Sequence, residues 1–100
     1  MAKYLLIVTN DGYGKRTPLT EFRPRKRAAK GVSGIAIEGE SNVIAAVPVS
    51  ERGEAIITTA NGRVLRLALS EIRVASRSAR GSRLIALEEG DSVVSVAVTT

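Results

Sequence analysis

The sequence predicts an all-β fold built from one four-stranded unit that occurs twice. Displacing the second half by 50 residues aligns it with the first half without gaps, and 14 of those 50 positions are identical. Each copy also divides into short apolar or β-branched runs separated by turns that contain glycine, as is typical of strands. The identical residues of the first copy are Ile7, Thr9, Gly12, Arg16, Leu19, Glu21, Arg23, Arg27, Ala29, Gly31, Ile35, Ala36, Glu38 and Val43.

The second copy shows the four strands most clearly. We predict its strands at residues 55–59, 64–69, 84–87 and 93–98. Asn61 and Gly62 lie between the first two, and this dipeptide predicts a type I′ hairpin turn, which needs positive φ at both central residues. The first copy has Gly12 at the same place, and Pro18 in its second strand favours an edge strand or a bulge there. No segment shows helical periodicity with caps.

A period near 50 residues with four strands per repeat indicates a propeller blade. Propellers close with roughly 4–8 blades. We therefore predict two four-stranded blades, at residues 1–50 and 51–100, which form either part of a ring or a protomer of an oligomeric ring.

The composition excludes several kinds of chemistry. The chain has no cysteine and no histidine, which removes disulfides, zinc sites of the usual kind, thiol nucleophiles and histidine acid–base schemes. We expect no catalytic residues, metal or cofactor. No apolar run approaches the ~20 residues that span a bilayer, and residues 4–9 suit a first strand better than a signal segment. These features favour a cytoplasmic protein that does not bind membranes.

The positive charge is concentrated at the same place in both copies. The net charge is +5, and 13 of the 15 basic residues lie in residues 13–30 and 63–83. Equivalent loops of stacked blades would form a basic belt, which suits the phosphates of duplex DNA. A solvated loop of arbitrary charge and a preference for RNA remain alternatives. The candidate DNA-binding residues are Lys15, Arg16, Arg25, Lys26, Arg27, Lys30, Gly31, Arg63, Arg66, Arg77, Arg80 and Arg83.

A family resemblance covers essentially the whole chain. The run Gly12-Tyr13-Gly14-Lys15-Arg16-Thr17 resembles a blade of the C-terminal domain of DNA gyrase A, and so do Ser70-Glu71-Ile72 and Arg80-Gly81 in the second copy. The order of the copies is most similar to the last two blades of that domain, and the topoisomerase IV C-terminal domain is related. The resemblance implies a β-pinwheel, a propeller whose neighbouring blades exchange strands, that wraps duplex DNA in a bacterial nucleoid.

The family's wrapping motif, Q-R-R-G-G-K-G, is incomplete in both copies. Residues 25–31 read R-K-R-A-A-K-G, and residues 75–81 read A-S-R-S-A-R-G. The resemblance therefore implies DNA binding without implying strong bending by this piece alone.

Two partners besides DNA remain open. The blades could close a ring with further copies, in which case three chains would give six blades, or with the remaining blades of a gyrase A domain. A structural, self-assembling propeller fragment with little DNA binding of its own is the alternative function.

Overall fold

The computed structural model describes residues 2–22, 42–76 and 79–99, and these residues are all-β as predicted. They form two sheets with antiparallel strand pairs, together with the short 3₁₀ turns Leu19–Phe22 and Leu69–Glu71. The described strands are β1 (Tyr4–Thr9), β2 (Tyr13–Pro18), β3 (Val43–Val49), β4 (Glu54–Thr59), β5 (Val64–Ala68), β6 (Ser82–Arg83) and β7 (Val93–Thr99).

One strand crosses from the second repeat to the first. The first sheet has the order β3-β1-β2-β6, and the second has the order β5-β4-β7. The strands β1, β2 and β3 are equivalent to β4, β5 and β7 at the 50-residue offset, whereas β6 belongs to the second repeat and pairs with β2 of the first. This is the strand exchange that the family resemblance implies. Division of the chain at residue 50 stays a prediction.

The predicted third strand of the second repeat, residues 84–87, is wrong. The pairing strand is Ser82–Arg83, and only Tyr13 and Gly14 of β2 pair with it. The apolar run beyond β6 is used for packing, since Ile85 is buried in the core. A short apolar run signals burial and does not by itself specify strand pairing. The equivalent strand of the first repeat lies outside the described residues.

The hairpin turns are present, but their predicted type is wrong. Gly62 has a φ of +89°, while no described residue other than glycine has a positive φ, so Asn61 does not meet the type I′ requirement. The Gly62 N–H donates to the Thr59 carbonyl at 3.0 Å. The arrangement fits the longer hairpin loop in which a type I turn is followed by a left-handed glycine. The Gly12 hairpin has the same form, with a φ of +91°.

Pro18 is the last residue of β2, and among the described residues it pairs only with β1. Pro18 lies opposite Tyr4 of β1, whereas the exchanged strand β6 pairs with β2 only at Tyr13 and Gly14, at the other end of the strand. The N–H that proline lacks is therefore not needed for pairing with β6. The prediction of an edge position or a bulge therefore fits as an edge position at this end of β2, although the strand as a whole lies between β1 and β6, and no bulge is present in its pairing with β1.

Both sheets contribute to one apolar core. Leu6, Val8 and Val49 come from the first sheet, and Ala55 and Ile57 come from the second. The segment around β6 adds Ile85 to the same cluster. The two repeats are thus packed together as well as joined by strand exchange. In the described part of the chain, no helix is long and apolar enough to cross a membrane.

Candidate nucleic-acid interface

The basic loop of the second repeat lies along β2 of the first repeat. The Arg16 N–H donates to the Arg73 carbonyl at 2.9 Å, and the Ala75 N–H donates to the Arg16 carbonyl at 3.0 Å. The Thr17 hydroxyl donates to the Ala75 carbonyl at 2.9 Å. The two backbone bonds make a parallel bridge between Arg16 and Val74. The first repeat therefore fixes the beginning of the loop.

Lys15 binds the middle of the same loop from the interior of the protein. Its side chain is on β2 and is fully buried. Its ammonium group donates to the carbonyls of Ser76 and Ala79, each at 2.6 Å. Burial lowers the pKa of Lys15 from its ordinary value of 10.5, and the negative charge of Glu21 opposes that change. This predicted phosphate contact is instead occupied with backbone carbonyls inside the protein.

Arg16 is also engaged inside the protein. Only 7% of the residue is exposed, and its Nε donates to the Ile72 carbonyl at 2.8 Å. Its guanidinium lies 4.8 Å from the centre of the Tyr4 ring, within the range of a cation–π contact. The residue joins the two repeats and has little surface left for a phosphate.

Two other predicted contacts meet on one tyrosine. Arg80 lies over the Tyr13 ring at 3.8 Å from its centre and pairs with Asp11 at 2.6 Å, while Arg83 lies at 5.6 Å from the same centre. Arg83 is an exposed residue, and its guanidinium is 3.4 Å from the Tyr13 hydroxyl. The exchanged strand thus brings two arginines of the second repeat onto an aromatic side chain of the first.

A shallow groove opens beside this cluster. Its volume is ≈ 360 Å³. The exposed Arg73 and the partly exposed Arg80 both line it, so two arginines share one concave surface. Sequence reasoning did not single out Arg73, although its identity with Arg23 in the repeat alignment was a usable signal. The described lining residues are Arg73, Val74, Ala75, Ser76, Ala79, Arg80 and Gly81.

The remaining predicted residues fall into two groups. Arg63 lies in the hairpin between β4 and β5 and donates to the Ala86 carbonyl at 2.7 Å, while Arg66 lies on β5 and is 3.5 Å from Glu54. The Arg66 side chain is 67% exposed, so that ion pair is weak. The others lie outside the described residues: Arg25, Lys26, Arg27, Lys30, Gly31 and Arg77.

Gly81, the counterpart of Gly31, has a structural reason to be glycine. Its φ is +91°, and a Cβ atom there would collide with the Gly14 carbonyl oxygen. The close approach is to the backbone of the neighbouring repeat. Across residues 2–22, 42–76 and 79–99, no cluster of three acidic side chains is arranged to hold a metal ion.

Comparisons with known proteins agree with this architecture. The family model of the DNA gyrase C-terminal domain, a β-propeller, matches residues 3–50 and again residues 53–100. The gyrase A protein of Chlamydia pneumoniae is 38% identical over 93 residues, which are 92% of this chain and 11% of that protein. The chain spans only 8% and 11% of the first two curated relatives that it matches.

Two solved structures have the same fold over essentially the whole chain. The C-terminal domain of DNA topoisomerase IV matches with a TM-score of 0.91 and 29% identity, over 100% of this chain and 31% of that one. The DNA gyrase A C-terminal domain matches with a TM-score of 0.88 and 31% identity, over 99% of this chain and 34% of that one. The predicted fold class is confirmed, and the chain belongs to the DNA gyrase C-terminal domain family of β-propellers.

Proposed function

We propose that this chain is a non-enzymatic module that binds duplex DNA through its phosphates and does not read base sequence. The observation that carries this proposal is the arginine groove, defined as the groove lined by Arg73 and Arg80 together with the exposed Arg83, which lies outside the lining and contacts the same Tyr13 ring as Arg80. Guanidinium groups suit phosphate because they offer several donors in one plane. The gyrase A and topoisomerase IV relatives support DNA as the partner, since the whole enzymes are named for DNA chemistry.

Binding of this kind depends on salt in a defined way. Each neutralised phosphate contributes about −0.9 to the slope of log K against log salt for B-DNA. We expect the full chain to bind two unrelated duplexes of equal length with affinities within about threefold, and with the same salt slope. Fluorescence anisotropy across a salt series measures both quantities. A strong preference for one duplex at moderate salt would contradict the proposal.

The arginine groove is tested by neutralising its exposed members. We expect Arg73→Gln and Arg83→Gln each to reduce the magnitude of the salt slope by about 0.9, because each removes one phosphate contact. Arg52→Gln is the matched control, since Arg52 is exposed but lies outside the groove. An unchanged slope for both groove variants, or an equal loss for the control, would show that binding is not centred on this surface.

Wrapping requires more than one such loop along a curved path. The basic segment recurs after 50 residues, so further blades would extend the belt that this piece begins. We propose the bacterial nucleoid as its location, in keeping with gyrase relatives from bacteria. Circularisation of short duplexes with and without the chain measures bending. We expect little bending by the chain alone, because neither repeat has the complete wrapping motif.

A second candidate function is assembly through an exposed strand edge. Within the described residues, β2 is covered by β6, whereas its equivalent β5 pairs only with β4. Val64 on β5 is 66% exposed. The contrast extends to the turns: a Cβ atom on Gly12 would lie 2.8 Å from the Ile85 carbonyl oxygen, while one on Gly62 would meet nothing within 4 Å.

The sequence fits a second copy of this chain at that edge. Gly14 on β2 makes room for Leu84, whose side chain would collide with a Cβ atom there. At the 50-residue offset, Gly14 corresponds to Val64 and Leu84 corresponds to Gly34, so the equivalent pair in an assembly would be Val64 with Gly34 of another copy. In that pair the large residue is on the second strand of the blade and the glycine is on the incoming segment, the reverse of Gly14 with Leu84. Gly34 lies outside the described residues. Because each pair combines one large residue with one glycine, the sequence supports head-to-tail docking of copies, with three chains closing a six-bladed ring.

Light scattering at size exclusion tests the assembly. We expect a mass of three chains, and we expect Val64→Lys to return the mass to that of one chain by placing a charge in the contact. Thr20→Lys is the control, because Thr20 is exposed on a turn of the first repeat. A monomeric wild-type chain that is folded and binds DNA would leave DNA binding as the function and exclude self-assembly.

A further inference from the structure

The loop that carries the arginine groove is held by side chains of the first repeat that do not themselves reach the surface. We propose that Lys15 is a positioning residue, which orders the second repeat's basic loop from inside the protein and thereby sets its affinity for DNA. The proposal rests on the function proposed above. It assigns to Lys15 a role different from direct phosphate contact.

The Lys15 side chain contacts two backbone carbonyls of the basic loop. Ser76 and Ala79 flank residues 77–78, and the Ala79 N–H donates to the Ser76 carbonyl at 3.1 Å. The Lys15 ammonium group donates to the carbonyls of both Ser76 and Ala79, at 2.6 Å each. A single buried cation therefore joins Ser76 to Ala79 and fixes their separation. Ser76 and Ala79 also line the arginine groove.

The opposite repeat shows that the strand does not need a lysine at this position. The equivalent of Lys15 in β5 is Leu65, which packs as a partly buried apolar residue in the same hairpin. A buried ammonium is costly unless its donors are satisfied. The Lys15 donors on β2 are satisfied by carbonyl groups of the basic loop, so binding of this loop explains why a lysine is present at this position.

The test compares Lys15→Met with Leu65→Met, which makes the same replacement at the equivalent position of the other repeat. Methionine keeps an apolar stem and removes the ammonium donors. In Lys15→Met we expect the Ala79 amide to exchange about tenfold faster relative to the Ile57 amide in the core, because charge-assisted bonds are the stronger kind. The ratio for Leu65→Met should match the wild type.

DNA binding separates positioning from direct contact. We expect Lys15→Met to weaken binding of a random-sequence duplex about fivefold with an unchanged salt slope, since no phosphate contact is removed. A slope reduced by about 0.9 would show that Lys15 itself neutralises a phosphate, and would overturn the proposal. An unchanged affinity together with faster Ala79 exchange would overturn the link to DNA.

A second variant keeps the outcome decisive. Thr17→Val removes only the hydroxyl bond to the Ala75 carbonyl and preserves the shape of the side chain. It should speed Ala79 amide exchange and weaken DNA binding as Lys15→Met does, by a smaller factor. This variant can be measured even if Lys15→Met does not fold. An Ala79-to-Ile57 exchange ratio equal to the wild type in both variants would overturn the ordering role. If the wild type binds no duplex, the proposed function and the link to affinity both fail, while the exchange ratio still decides whether Lys15 orders the loop.

Discussion

At the scale of single residues, identical amino acids at equivalent positions have different surroundings in the two repeats. Gly12 and Gly62 have nearly the same φ, +91° and +89°, and both close a hairpin. Gly12 lies against the backbone of the segment that follows β6, whereas Gly62 faces open space. The pair therefore separates the conformational reason for glycine from the packing reason.

Alanine substitution at these two glycines makes that separation measurable. We expect Gly62→Ala to lower the free energy of unfolding by about 1 kcal/mol, because a Cβ atom disfavours positive φ. Gly12→Ala should cost more, about 2–4 kcal/mol, since the new Cβ atom would also lie 2.8 Å from the Ile85 carbonyl oxygen. Guanidinium denaturation of the two variants measures the difference. Equal losses would mean that the exchanged segment moves aside freely.

At the scale of elements, the strands β2 and β5 have the same place in their repeats and different neighbours. The strand β2 supports β6 on one side and binds the basic loop through Lys15, Arg16 and Thr17. The strand β5 has leucines where β2 has Lys15 and Thr17, and it has no strand on its outer side within the described residues. The polar side chains of β2 are explained by the element that they bind.

The arginines at the centre of these strands give a matched test. Arg16→Met should lower the free energy of unfolding by about 2–3 kcal/mol, because it leaves the buried Ile72 carbonyl without its charged donor. Arg66→Met should change it by less than about 0.5 kcal/mol, since the Arg66 side chain is exposed and its ion pair with Glu54 is screened by solvent. Thermal denaturation measures both. Similar losses for the two variants would contradict the distinction between β2 and β5.

At the scale of the whole molecule, the repeats are one structural unit. The exchanged strand, the bound loop and the shared apolar core each join the second repeat to the first. Neither sheet can lose its partner without exposing apolar side chains such as Leu6 and Ile57. Stability at this scale comes from contacts between repeats that are far apart in sequence.

This coupling predicts one cooperative unfolding transition. Both tyrosines of the chain, Tyr4 and Tyr13, lie in the first repeat, and Tyr13 also contacts Arg80 and Arg83 of the second, so tyrosine fluorescence follows the first repeat and this contact between the repeats. Far-UV circular dichroism follows the strands of both repeats. We expect the two signals to give the same midpoint in guanidinium, as a two-state transition requires. A fluorescence midpoint that differs from the dichroism midpoint would show that the repeats unfold separately.

The sequence predicted most of the strands because their signals are local. Residues 4–9, 55–59 and 93–98 were recognised from β-branched composition, and the hairpins from their glycines. The third strand was misplaced because the apolar run at residues 84–87 is buried by the core, while pairing falls to the polar Ser82 and Arg83. The site was predicted in part: charge identified the basic loop, but charge alone could not separate the exposed Arg73 and Arg83 from the buried Lys15.

The sequence by itself determined the repeat, the all-β class, the family and the position of the positive charge, because periodicity, β-branched runs and composition are properties of the chain read in order. Only the tertiary structure decided which basic side chains are available at the surface. Lys15 and Arg16 are adjacent on a strand whose sequence does not distinguish it from an exposed basic strand. They are buried because the basic loop of the second repeat packs against them. That contact joins residues about 60 positions apart, and burial by a distant segment leaves no local mark in the sequence.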